Sequence, residues 1–451
     1  MSHQASARLP PGPRRLPIIG NLLDIPAEYP WKTFREWGQR WGEHSSLVSS
    51  TGPRSSPYIG GIVSLDMFGK PMIIVNSLQV ANDLLERRSA IYSERPPMVS
   101  SEMIGYNNTF PLLTYGDRLK EQRRTAGQAI GTRALVEKFG PLTEREAHLF
   151  LSNLLKYPEH FFAHIKRYTG AVMLLIAYGY QVKSDGEDHV LEDSFELIED
   201  FAESIMPGAF LVDTLATIKT FFLAMTLHPG VQAKAQAEVD AVVGSDRLPT
   251  LQDRNQLPYV NAICAELLRW LPAVPLGVPH TLREDDEYNG YFFPKGTTFM
   301  VNGWALLYDP ERYHEPSEFR PERFLKTPTH EPEEDPHNIA FGFGRRPFLT
   351  IVIFTGEHVA DATIFIAVAS VLATFNITKK VKNGQTITPA IAPSSATIRR
   401  VKRFTHCAKS THLVGISQQA PFECSIKPRS ANAETLIRVT NESHDPNAVL
   451  A

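Results

Sequence analysis

The chain has 451 residues, of which 43% are hydrophobic and 21% charged, a balance that excludes a disordered tail, a collagen and a coiled coil. Its 46 basic and 49 acidic residues give a formal net charge of −3, so nothing favours a nucleic acid as partner. The three cysteines, Cys264, Cys407 and Cys424, are too few and too scattered for a disulfide framework or a zinc cluster.

Residues 1–30 are rich in proline and glycine, with two such runs at 9–13 and 16–20. These runs favour extended backbone over helix. The polar start argues against a signal peptide, and no apolar run reaches the length of a membrane-spanning helix. The sequence therefore predicts a protein without a transmembrane anchor, either soluble or attached to a membrane surface.

The rest of the chain alternates helical and strand patterns. Two apolar runs separated by a turn at 69–71 predict a β-hairpin. Residues 117–245 are mostly helical in pattern, with a break at Pro229. Short strands are predicted at 280–305 and a long apolar helix after Gly356. No internal repeat is apparent, and the predicted fold class is mainly α with small β-sheets, or α+β.

A helix predicted between Pro258 and Pro272 carries the first chemically informative pair. Glu266 and Arg269, three residues apart, share the side opposite its apolar face. One interpretation is an exposed ion pair worth about 0.3–0.5 kcal/mol. Another is a buried network with Arg323, whose guanidinium would need a carboxylate of matching fork geometry. Alternatively, the loop around Arg323 is a surface turn.

Residues 341–346, Phe-Gly-Phe-Gly-Arg-Arg, form a glycine-rich turn followed by two arginines. Glycine allows the backbone to approach a flat or anionic ligand closely, and paired arginines hold carboxylates or phosphates. Taken alone, the segment is also compatible with a phosphate loop, although the Lys-Ser/Thr pair of such loops does not follow it.

Taken in this order, the Glu266–Arg269 pair, the loop around Arg323 and the turn at 341–346 resemble the cytochrome P-450 family, the haem-thiolate monooxygenases. The resemblance covers nearly the whole chain. The start looks like that family's proline-rich hinge. Residues 92–96, Tyr-Ser-Glu-Arg-Pro, look like its approach to the B helix, and residues 115–124 look like its C helix. The sequences of these motifs are most similar to those of fungal members of the family. The resemblance implies a cytochrome P-450 fold in a single domain, 31–451, behind a hinge, 1–30.

The resemblance implies haem b as the cofactor, with two sets of residues around it. A structural triad behind the haem would comprise Glu266, Arg269 and Arg323. The residues that face the haem propionates with charge-assisted hydrogen bonds would be Arg123, His280 and Arg346.

The resemblance also implies an activity, the insertion of one oxygen atom into a C–H bond of a small apolar metabolite. A terpenoid or polyketide in fungal secondary metabolism is the expected substrate class. Electrons would come from NADPH through a cytochrome P-450 reductase at the endoplasmic reticulum membrane. The haem would supply the difficult chemistry, while the protein would tune and orient the haem. The alternative is an inactive relative that acts as a non-catalytic scaffold.

The sequence departs from the family where the iron ligand is expected. The family signature is Phe-x-x-Gly-x-Arg-x-Cys-x-Gly, and its cysteine thiolate ligates the iron. Counted from Phe341, the cysteine position is Phe348 and the last glycine position is Thr350. The family pattern resumes only at Gly356, so a longer apolar segment replaces the ligand loop.

Other residues are poor substitutes for that cysteine. Cys264 belongs to the apolar face of the predicted helix, and Cys407 and Cys424 lie in the C-terminal tail. His358 is near the right place, but an imidazole does not push electron density as a thiolate does. A surface or helix-capping position is expected for His358. No residue is therefore predicted as the metal ligand.

The distal side of the predicted haem site also departs from the family. Asp213 and Thr214 are candidates for the acid–alcohol pair that delivers protons, but they are equally explained as part of an earlier segment joined to the end of the distal helix. The span between Arg123 and Glu266 is short for the family, so the roof of the substrate pocket is expected to be incomplete. Leu119 stands where the family has a tryptophan.

Three stretches look foreign to the family pattern: 44–60, 347–355 and 401–419. The last begins with valine, whose codons begin GT, and ends with glutamine, whose codon can end AG. These ends fit a translated intron. The interpretation is that errors in splicing or in the assigned exon boundaries of the gene produced the insertions and deletions, and the alternative is a decayed paralogue.

Overall fold

The computed structural model describes residues 9–26, 28–42, 61–96, 113–183, 188–204, 210–344, 358–395 and 417–442. The predicted foreign stretches 44–60 and 347–355 lie outside these ranges, as does 401–416. The last three residues of the third stretch form a strand, Ser417–Gln419, that pairs with Pro393–Ser395.

Helices account for most of the described structure. Their bounds are α1 Pro30–Gly42, α2 Leu78–Ala81, α3 Ser89–Tyr92, α4 Asp117–Ile130, α5 Arg133–Glu137, α6 Gly140–Lys156, α7 Phe161–Tyr178, α8 His189–Ser204, α9 Phe210–Leu227, α10 Pro229–Val242, α11 Pro258–Trp270, α12 Gly303–Leu307, α13 His337–Ala340, α14 His358–Thr374 and α15 Ala431–Glu442. Among the described helices, none is both long and apolar enough to cross a bilayer.

The strands form four small sheets among the described residues. Their bounds are β1 Ile62–Met67, β2 Lys70–Val75, β3 His280–Thr281, β4 Asp286–Tyr288, β5 Tyr291–Phe293, β6 Thr298–Val301, β7 Phe375–Lys382, β8 Gln385–Ile387, β9 Pro393–Ser395, β10 Ser417–Gln419 and β11 Cys424–Pro428. The largest has the order β1-β2-β6-β3, and β2 and β6 are parallel. The predicted class, mainly α with small sheets, is confirmed.

The predicted hairpin is present, but its turn lies one residue earlier than expected. Phe68 and Gly69 both have positive φ, 54° and 81°, which gives a two-residue turn whose twist suits a hairpin. Lys70 and Pro71 therefore belong to β2, where they pair with Met67 and Asp66. The turn was placed too late because proline is a strong turn signal, yet here it begins a strand.

The main core surrounds helix α14. Every side chain from Val359 to Leu372 is buried, as expected for a helix that is apolar all round. Helices α6, α9, α10 and α11 pack against it. The predicted break in the long helical region is also present, since α9 ends at Leu227 and α10 begins at Pro229.

Candidate haem site

Helix α11 brings Glu266 and Arg269 into the protein interior rather than to its surface. Pro258 occupies the first turn of α11, where its missing N–H costs nothing. Both Glu266 and Arg269 have 0% exposure, so the interpretation of an exposed pair is wrong. The chain from 307 to 323 covers the polar side of α11 and supplies the hydrogen-bond partners of Arg269.

The carboxylate of Glu266 contacts two guanidinium groups. Arg269 donates to it through Nε at 2.7 Å and through Nη2 at 2.8 Å, a bidentate fork. Arg323 Nε lies 3.3 Å from Glu266 Oε1, and the backbone N–H of Arg320 donates to the same oxygen at 2.8 Å. The structure thus brings together all three residues of the predicted triad.

A second carboxylate balances the buried charge. Arg323 Nη1 donates to Glu333 Oε2 at 2.7 Å, so two guanidinium groups face two carboxylates. The remaining N–H groups donate to backbone carbonyls, those of His314, Glu315 and Glu318 in the case of Arg323. Charges in a dry interior require such complete pairing, because an unpaired buried charge costs several kcal/mol.

A small cavity lies between β3, α13 and the glycine-rich turn, with a volume of about 20 Å³. Its walls include Gly277, Val278, His280, Ala340, Gly342 and Phe343. Such a volume admits roughly one water molecule. The turn at 341–344 and His280 therefore line the same small cavity.

His280 is buried, and one of its ring nitrogens, Nδ1, lies 3.0 Å from the carbonyl oxygen of Tyr92. Arg95 supports the same wall, because its Nη1 donates to the carbonyls of Val278 and Pro279. Arg95 is only 6% exposed and was not among the predicted site residues. The signal was the Glu-Arg-Pro of residues 94–96, which the resemblance had already singled out.

Other predicted site residues lie elsewhere or outside the described residues. Arg123 is on α4, half-buried, and does not line the cavity. Thr214 is buried on α9, and its hydroxyl has no hydrogen-bond partner among the described residues. Asp213 lies beside it, in a part of α9 whose side chains are not described. Arg346 and the expected cysteine position, Phe348, lie outside the described residues.

The close approach expected at the glycine-rich turn is made to the protein itself. Gly344 has φ of +78°, and a Cβ there would lie 2.0 Å from the carbonyl oxygen of Leu85. Its N–H donates to the carboxylate of Glu86. Only glycine fits this position, because the left-handed backbone and the contact both exclude a side chain. The glycine thus packs the turn against residues 82–87 rather than against a ligand.

The described residues do not fit the haem of the cytochrome P-450 type. Burial raises the pKa of Cys264 and of Cys424 to about 12, so both are neutral thiols, whereas the iron ligand is a thiolate. Neither cysteine lines the cavity, and neither does His358, at the start of α14. Within the described ranges, no group of three or more histidine, cysteine or acidic residues could hold a metal. The described residues therefore offer no thiolate donor for the iron.

A charge network joins the two sides of the undescribed segment 345–357. The two ring nitrogens of His337 face two carboxylates, with Nδ1 2.6 Å from Asp335 and Nε2 3.7 Å from Asp361. Arg254 binds the same Asp361 with contacts of 2.6 and 2.7 Å. Burial alone would raise the pKa of Asp361, but His337 and Arg254 hold it well below its usual range. The network fixes α13 against α14.

The same network predicts a loss of stability at alkaline pH. Burial would lower the pKa of His337, but its two carboxylate partners raise it to about 10. Its stabilising charge is therefore present at neutral pH and lost as the pH rises towards that value. We expect the free energy of unfolding to fall by roughly 3–4 kcal/mol between about pH 7 and 10. Urea denaturation of the chain and of His337→Gln would measure this difference.

An exposed histidine, His314, provides the control for this prediction. His314→Gln removes an imidazole that is 71% exposed, so its alkaline fall should match that of the unchanged chain. If His337→Gln also keeps the full alkaline fall, His337 is not the group responsible.

Comparison with known sequences identifies the family. The cytochrome P-450 family model matches residues 10–211 and 203–401. The chain is 38% identical to cytochrome P-450 monooxygenase 208 of Postia placenta, over 98% of this chain and 94% of that protein. It is 35% identical to cytochrome P-450 monooxygenase claR of Ampulloclitocybe clavipes, over 97% and 89%. It is 32% identical to cytochrome P-450 monooxygenase ppsD of Aspergillus oryzae, over 95% and 90%.

The comparison also shows a difference in length. The alignment with the Postia placenta protein spans 525 positions, more than the 451 residues of this chain, so that relative carries segments with no counterpart here. The two stretches that match the family model overlap at 203–211, a range that runs from the end of α8 to the start of α9. A match of this extent, to fungal monooxygenases over nearly the full length of both chains, leads to one conclusion. The chain belongs to the cytochrome P-450 family of haem b monooxygenases, and to its fungal type.

Proposed function

We propose that the catalytically active product of this gene is a monooxygenase that inserts one oxygen atom into a C–H bond of a small apolar metabolite. A terpenoid or polyketide of fungal secondary metabolism is the proposed substrate class. The observation that carries the proposal is the fully buried network of Glu266, Arg269 and Arg323. Such a costly arrangement of charges supports a role in holding a cofactor loop in place.

The roles of individual residues belong to the same proposal. Glu266, Arg269 and Arg323 would hold the chain behind the haem, and His280, Arg123 and Arg346 would face its propionates. His280 is the best supported of the second group, because it is buried at the cavity wall. Residues 31–451 would form one domain, with 1–30 as a hinge.

The partners proposed for the active product follow from the family. A reductase would deliver electrons from NADPH, and the protein would work at the endoplasmic reticulum membrane. The family resemblance supports both, and no nucleic acid is needed for the chemistry.

The second candidate function is that of a non-catalytic scaffold, and it concerns the chain with residues 347–355 as they stand in this sequence. The observation that favours it is the absence of any cysteine between Cys264 and Cys407. Without a thiolate in the ligand loop, the family's oxygen chemistry has no electron-donating ligand. The two proposals therefore differ in the loop between Arg346 and Gly356.

Sequencing the messenger RNA across codons 340–360 separates the two proposals. We expect a message that places a cysteine between the codons for Arg346 and Gly356, as the family signature requires. A transcript population that encodes only the printed residues 347–355 would overturn the monooxygenase proposal and leave the scaffold.

A further inference from the structure

A π-helical segment, Asn82–Arg87, lies against the glycine-rich turn at 341–344. It follows α2 directly, and the N–H of Arg88 closes its wide turn by donating to the carbonyl of Asp83 at 3.2 Å. We call Asn82–Arg87 the π-segment. Single π-helical turns are rare and often mark functional positions, because the fold accepts a less stable helix there to place particular groups.

Polar side chains hold the π-segment against β4. The hydroxyl of Tyr288 donates to the carboxylate of Asp83 at 2.9 Å. At the other end of the segment, Arg88 Nη1 donates to Asp286 at 2.6 Å and to the carbonyl of Glu287 at 2.8 Å. Contacts near both ends therefore fix the backbone of the π-segment.

The π-segment contacts Gly344, the last described residue before 345–357. The carbonyl oxygen of Leu85 occupies the space that a side chain at Gly344 would need. The next residue, Glu86, accepts the N–H of Gly344 with its carboxylate. Phe343 belongs to the same buried cluster as Leu84 and Leu85. This side of the glycine-rich turn is thus held by apolar packing and by one charge-assisted hydrogen bond.

Helix α14 holds the other side of the glycine-rich turn. Phe341 belongs to the buried cluster that contains Val359 and Ala360, at the start of α14. Apolar packing is non-directional, so it fixes the depth of the turn without fixing the direction of its backbone. A hydrogen bond is directional. The contact with Glu86 is therefore the one that can set the direction of the chain at Gly344.

We propose that Glu86 is a positioning residue for the loop between Arg346 and Gly356. The π-segment presents the carboxylate of Glu86 to the N–H of Gly344, and this hydrogen bond fixes where the chain enters the loop. Because Glu86 is exposed, its replacement leaves the core packing unchanged. The inference rests on the proposed function only where that function gives the loop an iron ligand, and the contact itself needs no cofactor.

Limited digestion of the full chain with trypsin tests the proposal. Trypsin cleaves after arginine but not before proline, so the chain can be cut after Arg345 and not between Arg346 and Pro347. A protease binds several residues on each side of the bond in extended form, so this cut requires residues 342–344 to leave the π-segment. We expect Glu86→Ala to speed the release of the fragment ending at Arg345, measured by mass spectrometry, about tenfold.

Two matched variants separate positioning from a general loss of stability. Glu86→Gln keeps a side-chain oxygen that can accept the N–H of Gly344, so its cleavage should be nearly as slow as that of the unchanged chain. Arg87→Ala removes a neighbouring side chain, 79% exposed and paired with Asp83, and should leave the rate unchanged.

Three results would overturn the proposal. Glu86→Ala and Arg87→Ala could be cleaved equally fast, Glu86→Gln could be cleaved as fast as Glu86→Ala, or Glu86→Ala could markedly lower the unfolding midpoint, which would assign Glu86 to general stability. A messenger RNA without the expected cysteine codon would overturn the monooxygenase proposal and change none of these rates, so the two failures are distinguishable.

Discussion

Replacement of Glu266 by glutamine is expected to lower the free energy of unfolding by about 3–5 kcal/mol. The substitution keeps the size of the side chain but removes the negative charge between Arg269 and Arg323, both fully buried. Of these two guanidinium groups, only that of Arg323 contacts the remaining carboxylate, Glu333, so Arg269 would lose its carboxylate partner. The loss is large because no water reaches the site to screen the charge that remains.

Urea denaturation of the purified variant measures this loss. The matched control is Glu434→Gln, which breaks an ion pair with Arg438 on the exposed surface of α15. Exposed pairs contribute little, so the control should change the free energy of unfolding by less than about 0.5 kcal/mol. A loss below about 1 kcal/mol for Glu266→Gln would show that the buried charges are not interdependent.

Placing a cysteine in the ligand loop is expected to give the chain the absorption spectrum of a haem-thiolate protein. Residues 347–355 would be replaced by three residues, the middle one cysteine, so that Gly356 takes the last position of the signature counted from Phe341. We expect the reduced, carbon-monoxide-bound protein to show a Soret band shifted far to the red. This shift reports a thiolate on the iron, which neither Cys264 nor Cys424 provides as a buried thiol.

The control for this experiment is the same three-residue loop with serine in place of cysteine. It restores the loop length without the sulfur, so its spectrum should lack the red-shifted band. If the cysteine loop also lacks the band while the protein is folded and contains haem, the chain cannot bring a ligand at this position to the iron. The proposed role of the segment after Arg346 would then be wrong.

The triad illustrates what the sequence could and could not predict. The three-residue spacing of Glu266 and Arg269 predicts that they are neighbours on α11, and the resemblance added Arg323 from a distant loop. Burial could not be read from the helix alone, because helical periodicity assigns both residues to a polar face. The segment 307–323, which supplies the carbonyl partners, covers that face in the folded chain.

The cavity wall shows a different limit. His280 was predicted to face the cofactor, and it does lie at the cavity. Arg95, which holds the backbone at Val278 and Pro279, was missed. Its position depends on the bridge between residue 94 and Thr281, a contact between segments far apart in the chain. Local patterns carry no information on such pairings.

The small cavity could not be predicted from the motif either. The glycines at 342 and 344 predict a turn that another group approaches closely, but they do not identify that group. In the structure the neighbour of Gly344 is the backbone at Leu85. The family's fold and buried charge network are thus present, while the described residues provide no sulfur donor for a haem-thiolate site.

The most direct test of this account is the absorption spectrum of the unchanged chain, produced with an ample supply of haem, reduced and exposed to carbon monoxide. The account predicts no red-shifted Soret band, because none of the three cysteines stands in the ligand loop. A red-shifted band would contradict it, since one of those cysteines would then have to reach the iron as a thiolate.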